Sequence, residues 1–395
     1  MQDSFRLRNQ IFVVEEDSRT HLENDFYRDA MGLYSIQDSL DTLKRDFARN
    51  LCEEIFAWWF DQHQEGGRYQ HPEIYRLFQR QQEVAQASLR FPREKHNEIA
   101  LIYDQESVHY VSIATDCLML DYYRTSDLAR IGAPVDYYFH DDMQRPDMPD
   151  YKMYVMLNVF CLNDGEREAI HRKAARNGAT VVWLYAPGFI NPDRPVKMDN
   201  GYITELTGFQ VGRLDETTSP RFRICEGHPA LKYGDPYRRY GYIDRDIHSN
   251  VWLGSVITPP FANPCFYIDD PEAEVLGRYL INGKAAFAMK SYRGFTSVYC
   301  AAQILRSELL ASLAEYSGCH LFLHQDDCLY ANENFVTVHA KDTGRKTIFF
   351  KQPCSPYEVY EKRFYGRHVT RIEVEMRLGE TKMFCISPAM PPEGV

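Results

Sequence analysis

The chain lacks several features that would assign it to a class at once. No two of its ten cysteines stand at CxxC spacing. Scattered over 395 residues, they exclude a dense disulfide scaffold and a zinc ribbon, and fit reduced, buried thiols in a cytoplasmic protein. No stretch approaches the roughly 18 consecutive apolar residues that suggest a membrane span. The opening Met1-Gln2-Asp3-Ser4-Phe5-Arg6 has no apolar core of the kind a signal peptide needs. Basic residues are in deficit, and the net charge of -11 argues against a nucleic-acid partner. No internal repeat or low-complexity tract is present.

Glycine is missing from two turns where chemistry would need it. A nucleophilic cysteine on a sharp elbow requires small flanking residues, but Cys161 lies within Asn158-Val159-Phe160-Cys161-Leu162-Asn163. It therefore reads as a buried structural thiol. The strand–helix turn Tyr103-Asp104-Gln105-Glu106-Ser107 has no glycine and is acidic, unsuited to a phosphate. His228, His248, His320 and His324 are isolated. His320 and His324 flank an apparent strand, which would hold them about 13 Å apart on one face, too far to share a metal. Neither a metal nor a cofactor is expected.

Apolar residues make up 44% of the chain and aromatics 14%, enough for large cores. The pattern divides into three segments. In residues 1–92, the apolar run Ile11-Phe12-Val13-Val14 suits a strand buried on both faces and ends in Glu15-Glu16-Asp17-Ser18-Arg19-Thr20-His21. A helix follows over residues 35–54, with Ser35 and Asp38 as a capping pair and Leu40, Leu43, Phe47 and Leu51 as its apolar stripe. A second strand runs through Trp58-Trp59-Phe60 to Asp61, and a second helix starts at His71-Pro72. Two such βα units leave sheet edges open and rarely stand alone.

Residues 97–320 alternate strands near 98–103, 135–139, 154–157 and 180–185 with helices over 112–131 and 164–177, predicting a doubly wound parallel sheet. Later strands near Phe266, 276–279, 285–290 and 296–299 extend or cover it, and a helix over 305–316 closes the segment. Residues 321–395 read as short strands separated by turns, a small antiparallel β-sandwich.

The first segment holds the candidate site. Glu15 ends the first strand, where α/β barrels collect their functional side chains. Its neighbours Glu16 and Asp17 cannot both share its face, because strand side chains alternate. Trp58 and Trp59 offer faces on which sugar rings stack, and Asp61 can grip hydroxyls. The plainer alternatives are a solvated loop after the strand and tryptophans that fill a core.

The three segments in this order resemble the C-terminal part of β-galactosidase-like glycoside hydrolases related to family 42. Phe12 to His21 resembles the seventh strand of a catalytic (β/α)8 barrel and its following loop. Lys44-Arg45-Asp46-Phe47-Ala48 with Trp58-Trp59-Phe60-Asp61 resembles the last helix–strand unit. Asn177 to Gly188 resembles the fourth strand of a flavodoxin-like trimerisation domain, and Gly379-Glu380-Thr381-Lys382-Met383-Phe384 the closing strand of the sandwich. The resemblance implies a partial barrel end, a flavodoxin-like (glutaminase-like) domain and a β-sandwich, with carbohydrate as ligand and a homotrimer as assembly. It places Glu15 at the nucleophile position of a retaining mechanism. Trp58, Trp59, Asp61, Arg19 and His21 become substrate-binding candidates.

Glu16 to His21 departs from the loop richer in Pro, Gly and Trp of close β-galactosidases. A barrel takes about 250 residues, so only its last two βα units are expected here. The strand that carries the family's acid/base glutamate is not among them. The expectation is an enzyme part inactive without the remaining strands, which a second chain could supply. The alternative is a non-catalytic oligomerisation or carbohydrate-binding protein.

Overall fold

The structure, a computed structural model, describes residues 1–61, 67–92, 95–111, 128–241 and 262–388. It begins with a short helix, α1 (Gln2–Leu7), that the sequence reading did not contain. Strand β1 (Val13–Glu16) follows, then helices α2 (Asp25–Met31) and α3 (Ile36–Glu53), strand β2 (Phe56–Trp59) and helix α4 (Pro72–Ser88). β1 starts two residues later than the apolar run. β1 and β2 pair in parallel, with Val13 opposite Phe56 and Glu15 opposite Trp58. The Ser35 side chain accepts from the Asp38 N–H while Asp38 reaches back to the N-cap, a full capping box. His71 caps α4, whose first residue is Pro72.

The second segment is a large mixed sheet. β3 (Ile99–Tyr103), β4 (Val135–Phe139), β5 (Met153–Leu157), β6 (Thr180–Leu184) and β12 (Phe295–Cys300) are parallel, in the spatial order β4-β3-β5-β6-β12. Numbered along the chain this is 2-1-3-4-5, the flavodoxin-like order. The pleats of β3, β5 and β6 are wholly buried, because helices cover both sides of such sheets. α5 (Asp164–Ala175) and α6 (Asn200–Thr207) belong to these layers. Beyond β12 the sheet turns antiparallel through β11 (Ala285–Tyr292), β10 (Glu274–Tyr279) and β8 (Phe222–Ile224), while β9 (Cys265–Ile268) joins β11 and β7 (Val211–Leu214). The later strands thus extend the sheet. α7 (Ser307–Tyr316) closes the segment. Most of the helix expected over 112–131, and His248, lie outside the described residues.

The edge strand β4 is closed by α1. The Asp3 carboxylate accepts the Tyr137 N–H at 2.8 Å and the Ser4 hydroxyl accepts the Phe139 N–H at 2.8 Å. Lys95 lies 3.0 Å from Asp3 and neutralises it. Side chains thus occupy donors that an open edge would offer to another chain.

The third segment forms two facing antiparallel sheets. One holds β13 (Cys328–Ala331), β14 (Phe335–His339), β19 (Thr381–Cys385), β16 (Tyr357–Glu358) and β17 (Arg363–Phe364); the other pairs β15 (Gly344–Cys354) with β18 (Val369–Met376). Val336, Val338, Ile348, Ile372, Val374 and Phe384 meet between them. Residues 321–323 form no strand, contrary to expectation. His320 instead contacts the Phe349 carbonyl at 3.1 Å, and His324 stacks on the Phe349 ring.

The first and third segments share a core. Ala48, Cys52, Val84 and Phe91 pack with Phe335, Tyr357, Val359 and Met383. Buried Asp41 of α3 accepts the Thr381 N–H at 3.2 Å, and its carbonyl accepts the Thr381 hydroxyl at 2.6 Å. Arg80 of α4 donates twice to the Val359 carbonyl, at 2.9 and 2.7 Å. The sandwich therefore seats the two βα units from behind.

Candidate functional site at the end of the parallel strand pair

Side chains on paired strands alternate between two faces. On the pair β1–β2, Glu16 and Trp59 turn toward the helices, while Val13, Glu15, Phe56 and Trp58 share the other face. That second face is uncovered: Val13, Phe56 and Trp58 are 52%, 56% and 55% exposed. The expectation of a strand buried on both faces is corrected here. α3 and α4 cover one side, and the described residues supply nothing for the other. In a closed barrel the uncovered side is the interior.

Glu15 and Trp58 are register partners at the C-terminal end of this face. They lie on strands about 4.8 Å apart. A carboxylate and an indole face therefore project together into open space. Glu15 is exposed, and no hydrogen bond or ion pair reaches its carboxylate among the described residues.

Trp59, by contrast, stacks on Phe78 at 4.9 Å and meets Tyr69 edge-on at 5.9 Å. It is a packing residue behind the strand, separated from Glu15 by the alternation of the pleat. Arg19 is buried. Its guanidinium lies 2.6 Å from the Asp17 carboxylate and 3.7 Å from Glu23, and covers the Tyr27 ring at 4.9 Å. Arg68 joins the same knot, 3.0 Å from Glu23 and in contact with Asp17. Two guanidiniums and two carboxylates are ion-paired there, so Arg19 is occupied rather than presented. His21 contacts the Ser39 hydroxyl through Nδ1 at 2.9 Å. Burial, then His71 and Arg28, hold its pKa below the ordinary 6.5, which favours the neutral ring. Asp61 lies past the end of β2, exposed, and accepts the Arg68 N–H at 2.8 Å. Of the six candidates, the structure brings only Glu15 and Trp58 together on the open face.

The loop after β1 is fastened rather than loose. The Tyr69 hydroxyl donates to the Glu16 and Ser18 carbonyls at 3.2 and 2.9 Å, and the Thr20 hydroxyl donates to the Arg68 carbonyl. These bonds, with the ion-pair knot, fix the strand end from which Glu15 projects.

A feature that sequence reasoning missed lies behind Glu15. Buried Glu16 accepts a hydrogen bond from Asn50 Nδ2 at 2.6 Å. Burial, reinforced by Asp46, lifts its carboxyl pKa above 4.5, and the Asn50 bond only partly offsets this. The alternation rule alone placed Glu16 opposite Glu15; the buried pocket needed α3. A cavity of about 620 Å³ opens at the other end of the pair, among Ile11, Phe12, Ile55 and residues of α3 and α4, and neither Glu15 nor Trp58 lines it.

No family model matches the chain, and no curated protein matches its sequence. Solved structures do share its fold. One is the β-galactosidase from Bacillus circulans sp. alkalophilus, with a TM-score of 0.61 and 13% identity over 97% of this chain and 61% of that one. Another is the β-galactosidase from Rahnella sp. R3, with a TM-score of 0.58 and 15% identity over 90% of this chain and 52% of that one. A third is a catalytic mutant of a GH42 β-galactosidase from G. stearothermophilus, with a TM-score of 0.56 and 13% identity over 89% and 51%. The chain spans less than two thirds of the length of each. Its fold, a parallel strand pair, a flavodoxin-like sheet and an antiparallel sandwich, is that of part of a family 42 β-galactosidase.

Proposed function

We propose that this chain is the C-terminal part of a retaining glycoside hydrolase acting on β-galactosides or related β-glycosides, with Glu15 as nucleophile. The observation that carries the reading is the pairing of Glu15 with Trp58 at the C-terminal end of the open strand face, within a fold shared with β-galactosidases. Glu15 would attack the anomeric carbon while Trp58 stacks on a sugar ring. The leaving group departs with a proton from a second carboxyl, and retention requires that group about 5 Å from the nucleophile. In the family's barrel that carboxyl comes from another strand, so it is proposed to lie on a βα unit other than the two described here.

The chain alone is therefore expected not to turn over aryl β-galactosides. Joined to the other βα units of a closed barrel, on the same or a second chain, it should hydrolyse them. Glu15→Gln should then lower kcat by at least about 10⁴-fold, as loss of a covalent nucleophile does. Turnover by the chain alone would refute the need for further barrel strands, and activity that survives Glu15→Gln would sink the nucleophile assignment. The flavodoxin-like segment is proposed to hold three copies together. Light scattering should give the mass of three chains, and a monomer would refute the trimer.

A further inference from the structure

The parallel sheet carries a second cluster, independent of the glycosidase reading. In the order β4-β3-β5-β6, the connection after β3 leads to one side and the connection after β5 to the other. Their carboxyl ends therefore flank a crevice, the place where open α/β sheets bind ligands. Asp104 follows β3, His140 and Asp141 follow β4, and Glu166 lies in the first turn of α5 after β5.

His140 is only 4% exposed and is ringed by three carboxylates. Its Nδ1 lies 3.1 Å from Asp104 Oδ1, and its Nε2 lies 3.2 Å from Asp141 Oδ1 and 3.3 Å from Glu166 Oε1. Neither ring nitrogen makes a hydrogen bond of proper geometry among the described residues. The reason is directional. Nε2 can donate one bond along one line, but it faces two carboxylates. A cation between the three atoms would serve all of them.

We propose that His140 Nε2, Asp141 and Glu166 form a binding site for a divalent transition metal of the Zn²⁺ class. The three donor atoms lie within 4.8 Å of one another. Metal bonds of about 2.0–2.1 Å in tetrahedral arrangement place donors about 3.3 Å apart, matching the two distances from Nε2. One nitrogen with two carboxylate oxygens is a Zn²⁺-type donor set, and it leaves a fourth position for water. Asp141, with its side chain 54% exposed, gives that position access to solvent. Asp104 Oδ1, 3.1 Å from Nδ1, is the partner that a metal-bound imidazole needs at its other nitrogen; with metal at Nε2 it would accept from Nδ1–H and fix the tautomer. Glu166 divides its oxygens, with Oε2 accepting the Asn163 N–H at 2.7 Å in a capping box and Oε1 facing His140. Binding displaces one proton from Nε2 if the imidazole is charged and none if it is neutral.

The test uses the full chain, stripped with EDTA and then given Zn²⁺ alone. One Zn²⁺ per chain should be retained through gel filtration and counted by elemental analysis. Asp141→Asn and Glu166→Gln should each weaken binding at least about tenfold, and Asp104→Asn by about 10- to 100-fold. Glutamine at 166 retains the capping box and the Asp141 side chain is half exposed, so these variants test binding without unfolding the sheet. Circular dichroism in EDTA checks this. Co²⁺ should give the intense visible bands of a tetrahedral site, which His140→Gln removes. No retained Zn²⁺, or retention unchanged in Asp141→Asn and Glu166→Gln, would overturn the proposal.

Discussion

Glu15 and Glu16 are adjacent, chemically identical and differently placed. Glu15 stands in open space on the uncovered face, and Glu16 is buried against Asn50 with Asp46 nearby. Because burial raises the folded-state pKa of Glu16 above 4.5, the folded chain holds that proton more tightly than the unfolded chain does. Its stabilising contribution is fully present below the unfolded pKa and is lost as pH rises through the folded pKa. Glu16→Gln keeps an acceptor for Asn50 and removes the charge. The melting temperature of the variant relative to the parent should therefore rise between about pH 4 and about pH 7. A difference that stays flat across that range would contradict the burial argument. The sequence showed two glutamates on opposite faces; it could not show which face α3 would cover.

At the scale of the element, the β1–β2 pair has one packed and one open face, and its two tryptophans report on them. Trp59→Ala removes an indole stacked on Phe78 and should destabilise the chain by about 3 kcal/mol. Trp58→Ala removes a side chain that is more than half exposed and should change stability by less than about 0.5 kcal/mol. Chemical denaturation of both variants checks the split, and equal losses would reverse the assignment of faces. The elements themselves were largely legible. The Ser35–Asp38 box, the His71-Pro72 start and the β3, β4 and β6 runs stand where residue patterns place them, because caps and periodicity are local. The stretch around Leu321-Phe322-Leu323 misled, because a short apolar run between two histidines also fits an irregular segment packed on Phe349. α1 went unseen for the same reason in reverse: six residues carry little periodic signal, and they cap a sheet edge 134 to 135 residues away in sequence.

For the whole molecule, the sandwich is part of the foundation of the βα units rather than an appendage. Its Phe335, Tyr357, Val359 and Met383 complete a core with α3 and α4. Removing residues 321–395 would expose that apolar face and strand the Arg80 guanidinium and the Asp41 carboxylate, which bond across the junction. The truncated chain should aggregate or bind a hydrophobic dye strongly. A monodisperse, cooperatively unfolding product would show that the first two segments stand without the third.

The sequence by itself determined the capping box of α3, the start of α4, the strand runs β3, β4 and β6 and the position of Glu15 near a strand end, because these follow from periodicity, capping and alternation over a few residues. Tertiary structure alone decided which candidates share the open face with Glu15. Trp58 and Trp59 are neighbours in sequence and separated by a pleat, while Arg19 was claimed by Arg68, Asp17 and Glu23. It also gathered Asp104, His140, Asp141 and Glu166 from three strand ends. No local pattern links residues so far apart, and only the order of strands in the sheet brings them within reach.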